Sequence, residues 1–597
     1  MKKSKYGKIK QGVQYLKYIL TQRQRMQAVG VLVLSCIGSI LEMLGVSVIL
    51  PLMDAMVQPE QLLKKKWARL FCSLFNISGT RELIIAIGLG VSLIYIAKNI
   101  YFVFLSWVRA RYSSRIQKEM ATKTFDSFIR HGYDFFLLNN SSDLMRRINV
   151  DIPSIHAIIQ CILRLFSELT SVLLISVYIA FTDITMALMV VGLGLLCAVF
   201  IVILNHSKIK RYGVTARDQD KKLNNIMMQT FQGIKEVLVM NRQDYFEKRY
   251  VNEYEKYNNV VVGRTVLEES PIYVIEGICV SGFLGAVSIR AALSSNINSF
   301  IPLMATFAIG AFRILPSMGK ISGDMNSALY YIPSLKATYD NLKMLEKDDE
   351  RDKRIIQKDN ENALAKVVSF NKGVSISGLY WRYEGQKELV LDNLSLSIKK
   401  GESIGIIGKS GAGKSTLVDI LLGLHIPQSG NIYVDDISIF SIPHGWSRMI
   451  GYVPQSIYLA DNTIRNNVAF GVADSEIDDA MVWKCLDEAM LADSVRKLPE
   501  GLDTLIGERG ARISGGQRQR MAIARALYHQ PQILIMDEAT SALDNETEKA
   551  VMDAIESLQG TITMVIVAHR LTTVRKCNLI YEIQDGKALE VEKDNLF

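Results

Sequence analysis

The sequence predicts a multidomain membrane protein: an N-terminal domain of six membrane-spanning helices, then an α/β domain built around a phosphate-binding loop. Three observations carry that prediction. The chain has 597 residues, too many for one hydrophobic core. Mean hydropathy is +0.16, and the apolar residues collect in long runs before about residue 320, with ordinary globular patterning after 365. Gly408 to Thr416 reads GKSGAGKST, which fits G-x-x-x-x-G-K-[ST].

Residues 1–26 carry eight Lys and Arg and no acid, with an apolar stripe through Ile9, Val13, Leu16, Ile19 and Leu20. They read as an interfacial helix on the cytoplasmic face. A secretory signal is the competing reading, and it fails because the first apolar run is too long, lacks a small-residue cleavage site and is followed by more spans. The spans are expected at about 27–53, 83–108, 158–181, 184–204, 272–293 and 300–317, each long enough for a hydrocarbon core of about 30 Å. Six spans return both ends to one side, and the basic N-terminus makes that side the cytoplasm. The net charge of +9 lies largely beside the apolar runs, so it reads as membrane topology rather than nucleic-acid binding. Seven scattered cysteines without a C-x-x-C read as small apolar residues.

The stretches 109–157 and 205–270 are long, polar and helical in period, implying helices that run on into the cytoplasm and turn back. Their tips are expected near Asp143–Arg147 and Gly233–Val237. Outside, residues 58–77 place Leu63, Trp67, Leu70, Phe71 and Leu74 on one helical face, an amphipathic helix at the outer surface. Lys64, Lys65 and Lys66 there oppose the positive-inside rule. They contact either anionic headgroups or an anionic lipid substrate. Residues 345–366, dense in both charges, read as a linker, which divides the chain into a transmembrane domain at 1–344 and a nucleotide-binding domain at 367–597.

In the second domain an apolar run, Ser403–Ile407, reads as a buried strand, and Thr416–Leu422 as the helix whose N-terminus faces the phosphates. Gly408, Gly411 and Gly413 let the loop turn its N–H groups inward around a triphosphate. Lys409, Ser410 and Ala412 complete the loop, Lys414 reaches the β- and γ-phosphates, and Ser415 ligates Mg²⁺. Tyr383, ahead of the loop, either stacks on adenine or is a strand aromatic. Gln455 follows a strand-like run and reaches Mg²⁺ or the attacking water. Ser514, Gly515, Gly516 and Gln517 open a second helix with a phosphate-grade N-terminus. The run Ile533–Met536 ends in Asp537, placed to hold Mg²⁺, and Glu538, placed to polarise the nucleophilic water. His569 ends another strand-like run, placed to contact the γ-phosphate.

Together Tyr383, GKSGAGKS, Gln455, ISGGQ, ILIMDE, SALD and His569 resemble an ATP-binding-cassette ATPase, and with six fused spans the chain resembles an ABC exporter half-transporter. Ile513, for the usual leucine before SGGQ, is the one departure in these motifs. The resemblance implies two cassettes packed head to tail, with ATP on one phosphate loop closed by Ser514–Gln517 of the other and Asp544 coupling the pair. The partner is a second half-transporter, in a homodimer or heterodimer, in the plasma (inner) membrane.

Glu42, Lys98 and Arg313 lie inside spans, where each would cost about 2.5–3.5 kcal/mol facing lipid, so they face the bundle interior, a cavity or each other. Glu42 pairs with Lys98 on one account; Arg313 has no acid in its own span. Leu41-Glu42 with Pro51, the outer helix, GIKEV, Pro271 with Glu276, and FRILPS resemble the lipid-linked oligosaccharide flippases. That resemblance implies a polyprenyl-diphosphate-linked cargo, with Arg313, Glu42, Lys98 and Lys64–Lys66 as substrate candidates. A drug, peptide or lipid A-type exporter on the same fold is the alternative.

Overall fold

The computed structural model describes residues 5–57, 62, 69, 72–73, 79–182, 184–293, 301–363, 370–383, 385–538, 545–568 and 570–596. The chain forms two compact units, residues 1–130 with 139–347 and residues 131–138 with 348–597.

The first unit is helical. Helix α1 (Lys5–Ile19) is separated from α2 (Gln22–Ser47) by a capping box in which Thr21 Oγ1 accepts from Gln24 N and Gln24 Oε1 accepts from Thr21 N. Small residues recur every three or four positions along α2, and Ser35, Gly38, Ser39 and Gly45 are buried together with Glu42. That stripe lets neighbouring helices approach closely and carries polar side chains between them. Ser39 Oγ lies 2.7 Å from Thr170 Oγ1, and Tyr101 Oη donates to Leu34 O at 2.7 Å. Helix α3 (Ile49–Val57) continues the first expected span, and α4 (Thr80–Arg130) contains the second. Of the expected outer helix only Leu62, Arg69, Cys72 and Ser73 are described; Leu62 is buried with Ala55, Leu83 and Ile87. Lys64, Lys65 and Lys66 lie outside the described residues.

The first turn-back differs from expectation. Helix α4 stops at Arg130, the short helix α5 is Tyr133–Leu138, and α6 is Ser141–Arg146. The chain therefore reverses about ten residues earlier than Asp143–Arg147. Those residues are instead fixed inside the returning helix by ion pairs, Arg146 to Asp143 at 3.1 Å and to Asp151 at 3.0 Å. A π-turn at Arg147–Asp151 leads into α7 (Ile152–Thr182). Helix α8 (Ile184–Gln232) breaks at Gly233, and α9 (Ile234–Val239) precedes α10 (Gln243–Leu293). Helix α11 (Ile301–Ala363) runs through Pro316 and Pro333 and on through most of the charged stretch read as a linker. Among the described residues, Gln22–Met56, Thr80–Arg130 and Ser141–Phe181 are long and apolar enough to cross a membrane. The other three expected spans fall within α8, α10 and α11.

The second unit holds two sheets. Strands β1 (Gly373–Trp381), β2 (Leu391–Lys399), β4 (Ser429–Val434) and β5 (Ile437–Ser438) form an antiparallel sheet in the order β2-β1-β4-β5. Strands β3 (Ser403–Ile407), β6 (Ile450–Val453), β7 (Ile533–Asp537), β8 (Thr563–Val567), β9 (Leu579–Gln584) and β10 (Lys587–Val591) form the other, in the order β10-β9-β3-β8-β7-β6. Only its β10 edge is antiparallel. Every residue of β3, β7 and β8 is buried, as a parallel sheet covered on both faces requires. The two-residue strand period then divides the core. Ile404, Ile406, Ile533, Ile535, Val565 and Val567 face one apolar layer; Leu534, Met536, Met564 and Ile566 face the other. Cys485 and Cys577 sit in that second layer, where burial pushes their thiols up to about 11 and about 12, so they behave as apolar residues.

Candidate functional site

The phosphate loop follows from the sheet. Strand β3 delivers the chain at its C-terminal end, where an open parallel sheet places its ligands. Gly413 then caps α12 (Lys414–Leu421) at φ 102°, a left-handed conformation. A side chain there would also crowd Val390 O and Leu391 at 3.0 Å. The loop closes on itself through Lys414, whose Nζ donates to Gly408 O at 2.9 Å and Lys409 O at 3.0 Å.

A cavity of about 420 Å³ opens over this loop, lined by Tyr383, Val390, Ser410, Gly411, Gly413, Lys414, Ser415, Thr416, Gln455 and Glu538. Four segments far apart in sequence thus meet. Tyr383 Oη lies 3.2 Å from Thr416 Oγ1, which holds the ring over the mouth of α12. Across the cavity Gln455 Nε2 donates to Glu538 Oε2 at 2.5 Å. Glu538 adopts φ 48°, a sparsely populated conformation for a residue with a side chain, at the end of β7. Asp537 beside it is buried. Ser415 and Gln455 line the cavity and Asp537 precedes Glu538 in the chain, and all three carry side-chain oxygens, the donor chemistry that suits a hard divalent cation such as Mg²⁺. Asp544 and His569 lie outside the described residues.

Ser514–Gln517 are not among the residues lining the cavity. Ser514 caps α13 (Gly515–Tyr528) in a box with Gln517, its Oγ accepting from Gln517 N at 3.2 Å while Gln517 Oε1 accepts from Ser514 N at 2.9 Å. Ser514 and Gly515 are exposed, leaving this helix N-terminus open to a ligand brought by another surface.

In the first unit the structure brings Glu42, Lys98 and Arg313 together. Glu42 Oε1 lies 3.2 Å from Lys98 Nζ and 2.6 Å from Arg313 Nε. Arg313, which has no acid in its own span, is therefore paired with one from α2. The cluster extends to residues that sequence reasoning missed. Glu168 lies 3.9 Å from Arg313 and 3.5 Å from Lys320, and Arg164 reaches Asp324 at 2.6 Å. Arg109 donates to Ser35 Oγ at 3.1 Å and lies in the field of Glu168, Arg164 and Asp324. Among the described residues, five cations (Lys98, Arg109, Arg164, Arg313, Lys320) face three acids (Glu42, Glu168, Asp324), a surplus of two positive charges in this cluster. Arg164 and Glu168 sit well inside the third apolar run, and that was the available signal.

These features define a class: a helical membrane domain joined to a phosphate-loop nucleotide-binding domain. The comparisons sharpen it. The ABC transporter transmembrane region model matches residues 29–269, and the ABC transporter model matches residues 391–541. An ATP-dependent lipid A-core flippase of Vibrio cholerae is 28% identical over 497 residues, covering 81% of each chain. The heterocyst differentiation ATP-binding protein HepA of a Nostoc species is 28% identical over 469 residues, 76% of this chain and 72% of HepA. A lipid A-core flippase of Ralstonia nicotianae reaches 43% identity over 212 residues, 35% of this chain and 36% of that protein. The solved structure of a bacterial Atm1-family ABC exporter with ATP bound shares the fold, with a TM-score of 0.68 at 20% identity over 96% of this chain and 97% of that one. The chain belongs to the ABC exporters, as a half-transporter whose ATP hydrolysis drives transport.

Proposed function

We propose that this exporter flips a phosphate-bearing glycolipid from the inner to the outer leaflet, with a polyprenyl-diphosphate-linked oligosaccharide as the first cargo to test. The surplus of positive charge around Glu42, Glu168 and Asp324 carries the reading. Ionised side chains at span depth are expensive. A cavity for hydrophobic drugs has no use for unbalanced cations, whereas a diphosphate headgroup needs charge-assisted, often bidentate, hydrogen bonds. Lipid A-core, named for several relatives, is the second candidate, since it too is an amphipathic lipid moved by a flippase.

In this reading the protein is a dimer, a homodimer or a heterodimer, in the inner membrane with both termini cytoplasmic. Tyr383 stacks on adenine, the loop from Gly408 to Thr416 cradles the phosphates, and Ser514–Gln517 of the partner chain close the site. Ser415, Gln455 and Asp537 would hold Mg²⁺, which would supply neutralisation of the phosphate charge. Glu538 orients and polarises the attacking water, and the hydrogen bond from Gln455 keeps its carboxylate turned into the cavity. His569 contacts the γ-phosphate and Asp544 couples the two sites. The exposed apolar side chains Phe231, Ile234, Leu238, Val239 and Met240 around α9 suit burial against a second copy.

The deciding experiment is reconstitution in liposomes with a panel of polyprenyl-diphosphate glycans, lipid A-type lipids, hydrophobic drugs and peptides. ATPase stimulation and flipping by a phosphate-bearing glycolipid are expected. Stimulation by drugs or peptides alone would overturn the proposal.

A further inference from the structure

Residues His131–Leu138 belong to the same compact unit as the nucleotide-binding sheets, and a buried histidine lies where they meet them. His425, in the turn after α12, is 1% exposed. Its Nδ1 lies 2.8 Å from Asp134 Oδ1 on α5, and its Nε2 lies 3.9 Å from Asp419 Oδ2 on α12. Neither approach has the direction of a hydrogen bond, so both ring nitrogens are buried without one. A buried polar group in that condition is costly, and here only the two carboxylates offset it. One of them, Asp134, is itself largely exposed and can leave.

The ring is also a wedge. It lies tilted on Trp381 with centroids 4.8 Å apart and meets Tyr133 of α5 at 5.7 Å. Trp381 in turn meets Tyr383 edge-on at 4.3 Å. Tyr383 is shared by two cavities: the one over the phosphate loop, and a second of about 700 Å³ lined by Asp134, Leu137 and Leu138 of α5 together with Trp381 and Gln428. Whatever shifts α5 therefore shifts the groups that set the orientation of Tyr383.

We infer that His425 is a positioning residue that couples the seating of helix α5, through Asp134, to the aromatic wall on which the adenine base stacks. The inference rests on Tyr383 being that wall. Coupling of this kind is reciprocal, so base binding tightens α5 as much as α5 tightens base binding. Triphosphate binding at the loop is left alone, because neither Asp134 nor His425 touches it.

The test uses the full-length protein reconstituted in nanodiscs. It measures KM and kcat for ATP, and the inhibition constant of inorganic tripolyphosphate, which carries no base. Asp134→Asn and His425→Phe should each raise KM for ATP about fivefold, with kcat within about twofold and tripolyphosphate inhibition unchanged. The double variant should be no worse than either single one, since both act on one path. Tyr383→Ala should show the same base-dependent loss. Unchanged KM in both single variants while Tyr383→Ala loses affinity would overturn the role of His425 alone. Unchanged KM in Tyr383→Ala would overturn the adenine reading with it. Additive single effects, or tripolyphosphate inhibition weakening in step with ATP, would mean ordinary structural damage and would also overturn the inference.

Discussion

The cavity over the phosphate loop and the ion cluster of the helical unit both gather positive charge, by opposite means. The first does it with backbone. The stretch Gly408–Thr416 leads into the N-terminus of α12, whose first amides have no partner within the helix, and Lys414 is held there by two loop carbonyls. The second does it with side chains from α2, α4, α7 and α11, gathered by packing from positions between 42 and 324. A backbone site is rigid and fixed in one chemistry. A side-chain site can be retuned by substitution, and its charges must be balanced against each other.

Substitutions on the two sides should therefore fail differently. Glu538→Gln should keep ATP binding and slow hydrolysis by about 10²–10⁴-fold, trapping a closed dimer with two ATP bound. Single-turnover hydrolysis at a near wild-type rate would remove Glu538 from its role. Glu42→Gln should strike stability rather than chemistry, because it leaves Lys98 and Arg313 without their shared acid. Removing one partner of a buried pair costs about 3–5 kcal/mol, read as a fall in the thermal unfolding midpoint in detergent. An unchanged midpoint would mean that the cluster is solvated.

Arg313→Ala sharpens the contrast further. It should fold, hydrolyse ATP, and lose flipping of a diphosphate-linked lipid by about 10- to 100-fold, the worth of one or two charge-assisted hydrogen bonds. Arg313→Lys restores the charge without the planar fork, so partial rescue is expected. Wild-type flipping in proteoliposomes for the alanine variant would withdraw the diphosphate cargo. The smallest effect is expected from replacing Lys64, Lys65 and Lys66 with Gln, which should lower flipping a few-fold at unchanged basal ATPase. Equal loss of both activities would point to misfolding.

Most of the second unit was legible because its chemistry is local. The run Ser403–Ile407 is apolar throughout because β3 is covered on both faces, and the loop that follows is nine residues long. The meeting of Gln455 with Glu538 was not legible as a bond, only as two motifs of one family, since it depends on β6 lying beside β7 in the sheet. In the first unit, helix length and apolarity were readable, but pairing was not. Arg313 has no acid nearby in sequence, and its partner sits 271 residues away. The first turn-back was misplaced for a related reason. Charges at Asp143, Arg146 and Arg147 look like a solvated tip, but they are partners of one another and of Asp151 inside a helix. His425 gave no signal, because a histidine after a helix has no pattern until Trp381 and Asp134 close around it.

Glu42 serves two cations on two different helices, and that constrains how such a chain can drift. A lineage that loses the acid must also neutralise or remove Lys98 and Arg313, and one that loses Glu42 first leaves Lys98 buried without its acid. Arg313 alone is easier to lose, because Glu42 keeps Lys98. Changes in this part of the bundle should therefore begin at the periphery of the cluster, at Lys320 or Arg164, which are half exposed, and reach Glu42 last.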